Sequence, residues 1–173
     1  MMATEPVWCK MPAMDKSELT EVLRGHPLMK ALSEDQLLSF ARAGELEVYR
    51  KDEVVVTEGT LGDAVYLLLT GRVAVTKKEA GDRVLAELEP GEFFGEMSLV
   101  EATARSATVV ATEESQIFRL PNQELHRLAE NDPQSMNRML VMIVRTLSGR
   151  LRKMNQTLAT VAQLSDWLAG TML

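Results

Sequence analysis

The sequence predicts an α+β fold in which a small antiparallel β-barrel is bracketed by short N-terminal helices and one long C-terminal helix. Three observations carry this. Apolar residues alternate at period two in short runs between residues 45 and 120, with turn residues between the runs. Residues 15–43 instead show helical spacing, and residues 134–169 run without proline at helical period. The chain has 173 residues, of which 46% are hydrophobic and 25% charged, a globular composition that suits one domain with a long appended element.

The elements follow in order. Residues 1–14, with Pro6 and Pro12, read as a flexible tail without a signal-peptide core. Asp15 or Ser17 caps a first helix, and Ser33 with Gln36 three positions on forms a capping box for a second. Leu28, Leu32, Leu37, Leu38, Phe40 and Ala41 recur at helical spacing until Gly44 ends the helix. Strands are expected at 46–49, 54–57, 65–69, 73–76, 83–88, 106–111 and 116–120. Glu58-Gly59, Leu61-Gly62-Asp63, Thr70-Gly71, Ala80-Gly81-Asp82 and Glu89-Pro90-Gly91 supply the turns. Such spacing indicates an all-β sandwich or small barrel, and the absence of βαβ alternation disfavours a dinucleotide-binding fold. A short helix at 121–131 leads into the long one, on the order of 54 Å if helical over 134–169.

The long helix carries a seam. With Val144 at position a, the a positions are Val144, Leu151, Leu158 and Ser165, and the d positions are Leu140, Leu147, Met154, Val161 and Leu168. Polar flanks beyond residue 145 (Arg145, Arg150, Arg152, Lys153, Gln156) leave a narrow apolar stripe, which a partner helix requires. Over 136–144 the apolar face widens through Met139, Val141, Met142 and Ile143, which suits packing on the chain's own barrel. The expected organisation is a tail (1–14), a β-roll with flanking helices (15–133) and a C helix (134–173) that dimerises or lids the site.

Charge and composition exclude several functions. A net charge of −6 is poor for binding nucleic acid, and no apolar run reaches the length of a membrane span, so the cytoplasm is the expected compartment. Cys9 is the only cysteine, and His26 and His126 stand 100 residues apart, so neither a disulfide nor a histidine-built zinc site is expected. A cupin-like metalloenzyme would need histidines within the strands, where neither falls; no enzyme activity is expected.

The segment from Gly91 to Val109, GEFFGEMSLVEATARSATV, carries the chemistry. Gly95 admits close approach of a backbone or ligand. Met97 and Ser98 open a very short helix whose first amides face outward as donors. Arg105 returns a cation to the same place and Ser106 adds a hydroxyl, a set suited to phosphate oxygens. Glu96 would repel a phosphate unless it holds something else, and a ribose hydroxyl is a natural donor to it. A sugar acceptor beside a phosphate cation describes a nucleotide. Without a Walker lysine, a singly charged phosphodiester fits better than a triphosphate.

Residues 94–109 resemble the phosphate-binding cassette of the cyclic nucleotide-binding domain, of form F-G-E-x-(A/S)-L, a short loop, then R-x-A-T-V. Nine positions separate Glu96 from Arg105. His26-Pro27-Leu28 to Leu32-Ser33, Glu58-Gly59 to Asp63, Tyr66, Gly71, Arg119-Leu120-Pro121 and Leu147 to Arg152 are similar to the family's flanking marks, so the resemblance spans about residues 24–155. It implies a jelly-roll β-barrel of about eight antiparallel strands. It implies that Arg105 pairs with the cyclic phosphate and Glu96 takes the ribose 2′-hydroxyl. Gly95, Met97 and Ser98 match the cassette's backbone donors, and Ser106 faces phosphate or base. At the C helix, Met154-Asn155 stand where bacterial activators carry threonine followed by serine or asparagine; Met154 departs from that pattern, and Asn155 could reach a base. The implied function is a regulatory sensor of cAMP or cGMP, with no other cofactor, homodimeric through the C helix and signalling to a separate partner. Too few residues follow that helix for a helix-turn-helix, so no direct DNA binding is expected. The alternative is a dimeric scaffold of the same fold that binds no nucleotide.

Overall fold

The computed structural model describes residues 15–81, 83–100 and 104–171. The N-terminal tail, including Cys9, lies outside the described residues, as do Ala102 and Thr103 of the cassette loop.

Helix α1 (Lys16–Gly25) and a 3₁₀ turn (Pro27–Ala31) precede α2 (Glu34–Ala43). The Ser33–Gln36 capping box is present in both directions at the start of α2. Gly44 ends α2 for a packing reason rather than a left-handed one. Its φ is −128°, and a Cβ there would stand 2.3 Å from the Phe118 ring and 2.7 Å from the Arg119 carbonyl.

Eight strands follow: β1 (Glu45–Tyr49), β2 (Val54–Val56), β3 (Ala64–Thr70), β4 (Val73–Lys77), β5 (Arg83–Leu88), β6 (Phe93–Phe94), β7 (Thr108–Ala111) and β8 (Ser115–Pro121). They form two antiparallel four-stranded sheets, ordered β1-β8-β3-β6 and β2-β7-β4-β5, the jelly-roll the sequence implied. The two-residue strand β6 is shorter than the sequence pattern could mark. Ser106 and Ala107, expected within a strand, precede β7.

The first sheet separates two apolar clusters. Alternation along β3 sends Val65, Leu67 and Leu69 outward against α1 and α2, and Ala64, Tyr66 and Leu68 into the barrel. That burial on both faces explains why β3 reads as a continuous apolar run. Consecutive Phe93 and Phe94 do the same on β6, one in each cluster.

Helix α4 (Asn122–Asn131) leads into α5 (Pro133–Thr171), 39 residues and roughly 58 Å long. Asp132 caps α5: its carboxylate accepts from the Ser135 amide at 3.1 Å and hydroxyl at 2.6 Å, and Pro133 occupies the first helical position. Those two bonds hold the Asp132 carboxyl below its ordinary value. Its contribution to stability is therefore present above the unfolded carboxyl's pKa and is lost as pH falls through the lower folded value. Asp132→Ala is expected to cost about 1 kcal/mol in urea unfolding at neutral pH.

Met139, Met142 and Ile143 are buried against the domain, as the widened face predicted, while Val141 of the same face is 49% exposed. Beyond them the seam is bare: Val144 is 59% exposed, Leu151 54%, Met154 56% and Leu158 61%. Among the described residues no helix is long and apolar enough to cross a membrane.

Candidate functional site

The turn after β2 and the cassette build the site together. Gly59 takes φ +82°, and its amide donates to the Arg105 carbonyl at 2.9 Å, while the Arg105 amide donates to the Thr60 carbonyl at 2.7 Å. An isolated bridge joins Leu61 to Ala104. The segment bearing Arg105 is thereby pinned to residues 59–61 before β7 begins.

β6 delivers the other half. After Phe94 the chain turns through Gly95 at φ +75°, where a Cβ would lie 2.6 Å from the Arg105 guanidinium and 3.1 Å from the Ala64 carbonyl. Glycine here answers both backbone strain and close approach. Helix α3 (Met97–Val100) follows at once. The Asn122 side-chain amide anchors its first turn by donating to the Ser98 carbonyl at 3.2 Å.

The Arg105 guanidinium is buried, with 6% of its side chain exposed. It donates to the carbonyls of Ala64 (2.9 Å) and Gly95 (3.1 Å) and to the Ser98 hydroxyl (3.3 Å). It lies 5.5 Å over the Tyr66 ring, which stacks on Phe94 at 5.0 Å. Asp63 is its acidic neighbour at 3.6 Å. Arg105 thus also joins the Ala64 carbonyl of β3 to the turn at Gly95.

Glu96 retains 16% exposure, and its carboxylate lies 3.9 Å from the Arg150 guanidinium. Arg150 also reaches Glu92 at 3.5 Å and donates to the Phe93 carbonyl. Sequence reasoning placed Arg150 among the polar flanks of the seam and missed it as a site residue. Its partner Glu92 lies 58 positions away in the sequence, so no local pattern signalled the contact.

Gly95, Glu96, Met97, Ser98, Arg105 and Ser106 line one cavity with Arg150. It encloses about 120 Å³, opens to solvent, and has an apolar floor of Val56, Val75, Leu88, Phe94 and Val109. The lining is that of a small-molecule site: an apolar base with a few converging polar groups.

Two expectations, for Ser98 and Asn155, differ in detail. The Ser98 amide does not face outward; it closes a turn onto the Gly95 carbonyl at 3.3 Å, and its hydroxyl bonds the same carbonyl at 2.8 Å. Met97 is 54% exposed at the rim, with the Ser106 hydroxyl 3.6 Å from its sulfur. Asn155 is exposed on α5 and does not line the cavity, because α5 diverges from the barrel after Arg150. His26 is buried, and that burial lowers its pKa; His126 lies exposed on α4.

Known proteins share this architecture. The "Cyclic AMP receptor protein" of Thermus thermophilus is 30% identical over 127 residues, covering 72% of this chain and 59% of that one. The "cGMP-dependent protein kinase 2" of Mus musculus is 34% identical over 99 residues, 56% of this chain and 13% of the kinase. The chain thus spans less than two thirds of the length of these relatives. A solved cyclic nucleotide-binding domain from Methylobacillus flagellatus superposes with a TM-score of 0.67 at 27% identity, over 80% of this chain and 79% of that one. The model of the cyclic nucleotide-binding domain matches residues 46–132, half of the chain and the whole of the barrel with its cassette, and the protein belongs to that family.

Proposed function

We propose that the chain is a non-catalytic sensor that binds a cyclic mononucleotide, cAMP or cGMP, in this cavity. The observation that carries the reading is the convergence of one carboxylate and one buried guanidinium on a single apolar-floored pocket. Arg105 and the Ser106 hydroxyl take the cyclic phosphate, Glu96 accepts from the ribose 2′-hydroxyl, and the base lies along the apolar wall toward α5. Gly95, Met97 and Ser98 shape the cassette around the phosphate. Two chains pair along the bare seam of α5, and Asn155 meets the base only when α5 draws in. The signal passes to a separate protein partner, in the cytoplasm, without direct contact to DNA.

Titration calorimetry with cAMP, cGMP and a cyclic dinucleotide tests this: one of the two mononucleotides is expected to bind. Heat from none of them would favour a scaffold that has kept the fold without the ligand.

The sugar contact has its own test. The parent chain is expected to prefer a ribose over a 2′-deoxyribose cyclic nucleotide by roughly 1–3 kcal/mol, and Glu96→Gln to lose that preference. Equal parent affinity for the two sugars would remove Glu96 from the site.

A further inference from the structure

A row of side chains crosses the whole first sheet on its barrel face. Register sets Glu45 opposite Arg119, Arg119 opposite Tyr66, and Tyr66 opposite Phe94, one residue before Gly95. Arg119 is the hub. Its guanidinium lies 3.0 Å from Glu45, 3.9 Å from Glu47 and 2.6 Å from Asp63. Tyr49 donates to Glu47 at 2.6 Å and so steadies that carboxylate. Burial alone would lower the pKa of Arg119, but the Tyr66 hydroxyl and Asp63 hold it raised, so it remains a cation.

Asp63 thus stands between two arginines. One carboxylate oxygen is 2.6 Å from Arg119, and the other is 3.6 Å from Arg105. The distances say which cation it belongs to. Arg105 is already oriented by the Ala64 and Gly95 carbonyls, the Ser98 hydroxyl and the Tyr66 ring, so it needs no carboxylate to aim it.

We infer that Arg119 is a positioning residue for the phosphate site: by holding Asp63 it keeps the charge of Arg105 available to an incoming phosphodiester. The inference rests on the cyclic-nucleotide reading above. A phosphodiester and Asp63 compete for the same cation. Without Arg119, Asp63, which is 62% exposed and free to swing, closes on Arg105, and the ligand must displace it.

The test is titration of the full chain with cAMP and cGMP. Arg119→Gln is expected to weaken binding about tenfold, and Arg119→Lys, which keeps the charge, to stay within about threefold of the parent. Asp63→Asn is expected to bind at least as tightly as the parent, and Asp63→Asn in the Arg119→Gln background to recover affinity to within about threefold of the parent. A merely structural role for Arg119 would show no such recovery. Three results would overturn the inference: parent-like affinity in Arg119→Gln, a double variant no better than Arg119→Gln, or a loss of tenfold or more in Asp63→Asn, which would make Asp63 the group that orients Arg105. Where Arg119→Gln fails to fold, the exposed Asp63 variant still puts the inference at risk, because a loss of tenfold or more in Asp63→Asn overturns it. A parent that binds neither nucleotide overturns the cyclic-nucleotide reading itself, and this inference with it.

Discussion

Arg105→Ala is expected to lower affinity for the cyclic nucleotide by roughly 2–5 kcal/mol, about 30-fold to several thousand-fold, because the ligand's buried charge loses its partner. The same change is expected to cost roughly 1–3 kcal/mol of folding stability, since the carbonyls of Ala64 and Gly95 lose a donor in a site with little water access. The two effects separate by method: calorimetry with nucleotide reads the first, urea unfolding without nucleotide reads the second. Parent-like binding in a folded Arg105→Ala chain would remove the arginine from the ligand site. Unchanged stability would mean that water replaces the guanidinium at both carbonyls.

The second large effect concerns association. Leu151 and Leu158 are 54% and 61% exposed in the single chain, two turns apart on the seam of α5. With little more than half of each side chain left to bury, each leucine contributes about 0.8–1.5 kcal/mol in a helix pair, so four of them in a dimer contribute roughly 3–6 kcal/mol. The double variant Leu151→Asp, Leu158→Asp is expected to be monomeric by light scattering at concentrations where the parent is dimeric. Hydrogen exchange of the parent is expected to change with nucleotide more over residues 145–171 than in the barrel. A parent that stays monomeric at about tens of micromolar would end the dimer proposal and leave the pocket untouched.

Local chemistry was legible in the sequence. The Ser33–Gln36 box, the turn glycines and the period-two runs each report on neighbours a few residues away; the box formed as read, and the strands formed within a residue or two of their expected bounds, β6 excepted. The cassette was legible because its residues are contiguous: Gly95 to Ser98 and Arg105 to Ser106 meet across one loop. Contacts between distant segments were not. Arg150 meets Glu92 across 58 positions, and Arg119 meets Glu45 across 74. Helical period gave Arg150 a face but not a partner. Strand period could place Arg119 inside the barrel only once β1, β3 and β8 were known to adjoin. Asn155 illustrates the converse, since its helical position was read correctly but its distance from the pocket depends on where α5 leaves the barrel.

That departure has a mechanical meaning. Arg150 is the last described residue of α5 that ties the helix to the barrel by an ion pair, and every described side chain from Leu151 to Ser165 is exposed. The 21 residues from there to Thr171 form a helical arm roughly 32 Å long that starts beside the Arg150 contact with Glu96. Under the sensor proposal, a tilt of about ten degrees at that contact would carry the tip through roughly 5–6 Å, about one helical turn, so a small adjustment at Glu96 would become a displacement large enough for a neighbouring molecule to register.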